Sequence, residues 1–328
     1  MRQSEGRSIE VLGESAAPRR QETNLTESRR GVPWQLRLVL LAAIWGMSFV
    51  FIKLGVEAFA PLQVALGRMA LGTVTLLLLL RARGEGLPAD PEVWRHLAVV
   101  AVVANVIPFS LFAYGETLTT SVLAGIWNAT TPLFTAPIAL VMLRDEPLTK
   151  NRLLGLAIGF LGVLVVLGAW QGLSGGELAG NLMCLGASAS YGVGFPYMRK
   201  HLTSRGDSVL SLAAGQLMCG TLEVAILTAL LTTLPGTISL SAAGGVLALG
   251  VLGTGLAYVI NYGLIRETGA TTASTVTYLI PLFSTVAGVA LLGEPLAWYQ
   301  PVGGVVVVLG VAISQGALGR LRAPFRTG

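Results

Sequence analysis

The sequence predicts an all-α polytopic membrane protein, with ten transmembrane helices arranged as two inverted five-helix repeats. Three observations carry that expectation. Of 328 residues, 53% are hydrophobic and only 12% charged, against about 25% charge in an average soluble domain. Ten apolar runs have the length that a bilayer requires, and short motifs recur in the same order about 148 residues apart. A water-soluble fold of this size has too little polar surface to cover so much apolar side chain, which excludes a soluble enzyme, a disordered chain and a nucleic-acid binder. The net charge of +5 does not point to nucleic acid, because the Lys and Arg residues sit between apolar runs and form no patch. Cys184 and Cys219 both lie inside apolar runs, so no disulfide framework is implied.

A helix needs about 20 apolar residues to cross the hydrocarbon. Ten segments qualify in order: Trp34 to Val56, Leu62 to Leu80, Val93 to Ala113, Leu118 to Leu143, Arg152 to Ala169, Leu178 to Met198, Val209 to Leu234, Ala242 to Leu264, Ala270 to Leu292, and Trp298 to Leu318. The connections are short and rich in turn formers, as in Gly172 to Glu177 and Pro235 to Ser241. Residues 1–33 read as a flexible tail: they are polar, lack an apolar period, and lack the apolar core of a signal peptide. Residues 319–328 form a second short tail.

Lys and Arg are retained in cytoplasmic loops. With the N-terminus inside, 20 of the 22 basic residues fall in inside segments, and the other two, Lys53 and Arg68, lie within spans. The outside loops then hold only acidic charges, at Glu57, Glu116, Glu177 and Glu294. Both termini are therefore expected in the cytoplasm.

The repeat is legible in motifs. Thr131-Pro132-Leu133-Phe134-Thr135 recurs as Ile280-Pro281-Leu282-Phe283-Ser284, and Glu146-Pro147-Leu148 recurs as Glu294-Pro295-Leu296. Gly155 and Gly162 follow the first glutamate at the spacing at which Gly303 and Gly310 follow the second; Tyr114-Gly115 pairs with Tyr262-Gly263. Five spans per half is an odd number, so equivalent loops fall on opposite faces. The charge pattern agrees: the loop from Arg144 to Arg152 has three basic residues, and that from Gly293 to Pro301 has none. Inverted repeats of this kind build two interconvertible access states around a site near mid-membrane.

An aromatic-Gly-x-x-Phe element stands early in each half, Trp45-Gly46 with Phe49 and Tyr191-Gly192 with Phe195. Together with the in-span Arg68 and a Glu-Pro-Leu turn before each Gly-rich last helix, it resembles the EamA branch of the drug/metabolite transporter superfamily. The resemblance covers Trp34 to Leu318, with residues 34–169 as the first repeat and 177–318 as the second. It implies a ten-helix, basket-like fold and export or exchange of small metabolites, often amino acids, across the bacterial inner membrane. Two departures stand out: Tyr191 replaces Trp45 in the second half, and the second span of that half has no counterpart of Arg68.

Ionisable groups inside a bilayer cost about 2.5–3.5 kcal/mol each on insertion scales and so become functional candidates. Lys53, Arg68 and Glu223 qualify, all in the outer half of their spans, where they could pair with one another or with Glu57. Lys53 reads as a headgroup-seeking side chain or a functional cation. Arg68 reads equally as a fixed strut and as a substrate or gate contact. Glu223 could exchange a proton and couple it to transport.

Asn105, Asn128, Asn181 and Asn261 occupy span interiors, where an amide requires a partner or a wet cavity. Pro132 and Pro281 stand at matched positions and remove backbone bonds, which suggests paired hinges, with static bent helices as the other reading. Trp127, Tyr191, Tyr258 and Tyr278 lie deeper than the interfacial aromatic belt and would suit a cavity for an aromatic or amphipathic metabolite, or equally ordinary packing. The expected substrate-binding set is Trp127, Asn128, Tyr278, Asn105, Tyr191 and Tyr258. Gly-rich final helices read as scaffold or dimer contacts, leaving monomer and homodimer both open.

Nothing points to catalysis or to a cofactor. His96 and His201 have no metal-ligand spacing, and neither a phosphate loop nor a Ser/His/Asp set is present. The expectation is a secondary transporter of small molecules in the lipid bilayer, exporting aromatic or neutral amino acids. Another metabolite, a drug-like cation, or a lipid-handling role are the alternatives.

Overall fold

Each span begins where the chain supplies partners for the first amides of a helix, as a lipid environment demands. In the computed structural model, which describes residues 32–143, 149–166, 168, 175–202, 205–268 and 276–314, ten helices follow one another. They are α1 (Trp34–Val56), α2 (Pro61–Ala82), α3 (Pro91–Glu116), α4 in two pieces (Ser121–Asn128 and Thr131–Leu143) and α5 (Lys150–Val166). The second half has α6 (Gly175–His201), α7 (Val209–Leu231), α8 (Leu240–Gly250, Val251–Leu256 and Ala257–Thr268), α9 (Val276–Leu292) and α10 (Tyr299–Ser314). Residues 1–31 of the first tail, the second tail and the Glu146-Pro147-Leu148 turn lie outside the described residues.

Asp90, Thr120, Ser208 and Ser239 cap α3, α4, α7 and α8, each accepting from an amide two or three residues on. Pro61 and Pro91 open α2 and α3, where a missing N–H costs nothing. Five of the described helices are long and apolar enough to cross a membrane unaided. Apolar side chains such as Leu78 and Leu230 stand exposed on them, as lipid-facing positions require.

Packing between the halves is reciprocal, as a two-fold relation between oppositely directed repeats requires. Helix α1 lies on α9, and its repeat mate α6 lies on α4; α2 meets its own mate α7, and α5 meets α10. Thr73 and Thr221, 148 residues apart, share a hydrogen bond of 3.0 Å where α2 and α7 touch. A Cβ on Gly46 would sit 2.5 Å from Cβ of Phe283, and one on Gly192 would sit 2.5 Å from Cβ of Phe134. Gly-x-x-Phe thus marks two matched places where backbones approach too closely for a side chain.

Two features depart from regular α-helix. Residues Val102–Val106 of α3 and Val251–Leu256 of α8 are π-helical. Wider turns of this type free carbonyls and occur often at functional sites. Trp45 of α1 donates to the Gly253 carbonyl at 3.2 Å, and Ser190 of α6 donates to that of Val103 at 2.6 Å. The other feature is the interruption of α4 at Ala129 and Thr130. Pro132 cannot donate to the Asn128 carbonyl, and Thr131 Oγ1 donates to it instead at 2.8 Å. Thr130 Oγ1 and Ser188 Oγ both serve the Trp127 carbonyl, at 2.7 and 2.8 Å. Pro281, by contrast, lies inside a helix that runs unbroken from Val276.

Candidate functional site

A central cavity of about 150 Å³ opens between the halves. Helix α1 lines it with Trp45, Ser48, Phe49 and Ile52, α2 with Arg68, and α3 with Ala104, Phe109 and Phe112. Its remaining wall comes from Asn128 and Thr131 of α4, Tyr191, Phe195 and Met198 of α6, Gln216 of α7, Tyr258 and Asn261 of α8, and Thr277 and Ile280 of α9. Among the described residues, α5 and α10 contribute nothing to the lining and pack on each other through glycines. Both members of several repeat-mate pairs line this space: Trp45 and Tyr191, Phe49 and Phe195, Arg68 and Gln216, Asn128 and Thr277.

Four of the expected residues meet here: Asn128, Tyr191, Tyr258 and Arg68. Tyr191 stands among Phe109, Phe112 and Phe195 with ring centroids 6.2–6.5 Å apart, a continuous aromatic wall. Asn105 lies behind the lining, fully buried, donating from Nδ2 to the Tyr258 hydroxyl at 2.8 Å and accepting from Gln216 Nε2 at 2.5 Å. Trp127 is 1% exposed and donates from Nε1 to Asn181 Oδ1 at 2.9 Å. Tyr278 packs against the same apolar core as Trp127. The interior asparagines therefore divide as an amide in lipid must: Asn128 and Asn261 face the cavity, while Asn105 and Asn181 have side-chain partners.

Lys53, Arg68 and Glu223 do not pair with one another. Lys53 Nζ donates to the carbonyls of Glu116 at 2.7 Å and Thr119 at 2.9 Å, so the cation closes the C-terminal end of α3. Glu223 is half-buried on α7, away from the cavity lining, with Oε2 buried and unbonded among the described residues. Arg68 is 7% exposed; its Nε donates to Thr254 Oγ1 at 2.9 Å and its guanidinium lies 3.7 Å above the centre of the Phe109 ring. That contact offsets part of a burial cost of about 2.5–3.5 kcal/mol.

Three residues escaped sequence reasoning. Gln216 occupies the position 148 residues beyond Arg68, and applying the repeat offset to α2 would have found it. Glu294, expected in an outside loop, is 9% exposed and bonds the first turn of α4: Ser121 N donates to Oε1 at 2.8 Å, Ser121 Oγ to Oε2 at 2.9 Å, and Val122 N to Oε2 at 3.0 Å. Glu116, also expected outside, is fully buried, and neither carboxylate oxygen has a hydrogen-bond partner among the described residues.

One further cluster ties the halves together at the face where α2 ends and α7 begins. Arg205 reaches Asp90 Oδ2 at 3.2 Å and Glu92 Oε1 at 2.9 Å. Arg37 pairs with Glu267 on the same side, and Ser208 with Glu85.

Comparison with known proteins supplies the family. The profile of the EamA-like transporter family matches residues 32–168 and again 178–315. An uncharacterized transporter of Archaeoglobus fulgidus is 26% identical over 85% of this chain and 96% of its own length. The uncharacterized inner membrane transporter YedA of Escherichia coli K12 is 28% identical over 84% of this chain and 88% of its own length. A solved crystal structure with 19% identity has a TM-score of 0.65 and covers 88% of this chain and 99% of that one, which shows a shared fold. With two family repeats spanning nearly the whole described region, the chain belongs to the EamA-like transporter family: it is a multi-pass membrane transporter and not an enzyme.

Proposed function

We propose that the protein is a secondary transporter that exports small metabolites, amino acids foremost, across a bacterial inner membrane by alternating access. In this reading residues 34–169 and 177–318 rock against each other, both termini are cytoplasmic, and Pro132 and Pro281 act as hinges. Asn128, Tyr191 and Tyr258 contact the substrate, Asn105 orients Tyr258, and Trp127 and Tyr278 support the wall from behind. The observation that carries it is the cavity between the halves, lined by repeat mates from both. A site on a pseudo-two-fold between inverted repeats meets equivalent surroundings in both access states. The aromatic lining also suits a drug-like cation, and the buried Arg68 charge opposes one.

The test is flux of neutral and aromatic amino acids into proteoliposomes holding the purified protein. Asn128→Trp, which fills the cavity, should abolish saturable flux while leaving the size-exclusion profile unchanged. Undiminished flux in that variant would remove the cavity from the transport path.

A further inference from the structure

The two halves present different chemistry at equivalent places in the cavity. At one of these places Gln216 of the second half donates to Asn105 of the first, which in turn donates to the Tyr258 hydroxyl, a neutral hydrogen-bonded set. At the matching place Arg68 of the first half donates to Thr254 of the second, and four residues beyond Thr254 and Asn105 stand Tyr258 and Phe109. Gln216 shows that a neutral amide suffices to brace a π-helical turn from this position. The charge on Arg68 is therefore additional to the bracing. Only Nε is committed: neither Nη group donates to any described residue. Arg68 is also the sole charged side chain in the cavity lining among the described residues. A guanidinium held over one ring, with its Nε tied down and its Nη groups free, is prepared to bind a carboxylate in its own plane.

We propose that the transported solute is an organic monocarboxylate with an apolar or aromatic body, its carboxylate held by the free Nη groups of Arg68. This rests on the reading of the cavity as the substrate site and narrows it. Trp45, Phe49, Phe112 and Tyr191 receive the body. No lining residue carries a negative charge to pair an ammonium, so organic anions bind best, zwitterionic amino acids less tightly, and amines without a carboxylate least. Substrate entry then neutralises the buried cation, and the empty carrier retains it.

Binding to the purified, detergent-solubilised full chain tests this with three probes that share one ring: 3-phenylpropionate, L-phenylalanine and phenethylamine. The expected order of affinity follows that order, with phenethylamine at least ~10-fold weaker than 3-phenylpropionate. Arg68→Gln, which copies the chemistry of the second half, should weaken 3-phenylpropionate on the order of 10–100-fold and leave phenethylamine bound no more weakly than by the parent, while Arg68→Lys should retain part of the affinity for the acid. Equal binding of the amine and the acid by the unaltered protein would overturn the proposal even if Arg68→Gln fails to fold. Absence of binding by carboxylates from acetate to 3-indolepropionate would overturn it too. Asn128→Trp separates the two readings. If it abolishes flux of whichever probe is carried while Arg68→Gln leaves the acid preference intact, only the carboxylate proposal fails. If it leaves flux intact, the cavity reading fails first.

Discussion

Removal of the Glu294 carboxylate should loosen the cavity from a distance. Helix α4 starts at Ser121 with three amides that have no partner of their own in the helix. Thr120 Oγ1 accepts from Leu123 N at 3.2 Å, and Glu294, from the turn between α9 and α10, accepts from the other two and from the Ser121 hydroxyl. A carboxylate at a helix N-terminus also gains from the macrodipole. Glu294→Ala leaves two buried amides orphaned at about 1–3 kcal/mol each, and their sharing of one acceptor makes the sum smaller than the parts. The expected loss is about 2–4 kcal/mol. Glu294→Gln keeps one acceptor oxygen and should lose about 1–2 kcal/mol. Unfolding in a fixed detergent, followed by tryptophan fluorescence, measures both. Because α4 carries Asn128 to the cavity at the end of its first piece, probe binding should weaken alongside stability. A Glu294→Ala variant within ~0.5 kcal/mol of the parent would refute the capping account.

Matched glycines offer a second check. Gly46→Ala and Gly192→Ala each force a Cβ to 2.5 Å from a phenylalanine Cβ on the facing helix, so each should cost about 1–3 kcal/mol. Gly86→Ala, with nothing within 4 Å, should be neutral in the same unfolding assay; a neutral Gly192→Ala would break the equivalence of the halves. Arg205→Ala should change stability by less than about 1 kcal/mol, since its bridges to Asp90 and Glu92 are exposed. It should nonetheless raise the labelling rate of cysteines introduced at that face, as should 1 M salt in the parent, and unchanged labelling would show that these bridges do not hold the face closed.

Much of the architecture was legible because a bilayer imposes a length on every apolar run, and because repeats keep their turn formers. Glu-Pro-Leu, the proline motif and the Gly-x-x-Phe element located the halves before any contact was known. The cavity was legible in part. Asn128, Tyr191 and Tyr258 announced themselves as polar tips too deep for the interface, but depth does not say which side of a helix faces the cavity. Trp127 and Asn128 are adjacent residues; the helix turns one into the core and the other to the cavity. Glu116 and Glu294 looked like loop charges since both stand at the ends of apolar runs. What buries Glu294 is the N-terminus of a helix 173 residues away in sequence, which no local pattern reveals. The π-helical turns have no compositional signature, and the matched prolines concealed a difference: α4 breaks before Pro132, while α9 continues through Pro281.

The central claim is that two related five-helix units face opposite ways in the membrane around one cavity. Single cysteines at Asp145 and at the exposed Trp298, placed in the equivalent connections of the two halves in a background lacking Cys184 and Cys219, test it directly. In sealed, right-side-out vesicles a membrane-impermeant maleimide should label the cysteine at position 298 and not the one at 145, with the pattern reversed in inverted vesicles. Labelling of both from the same side would contradict it.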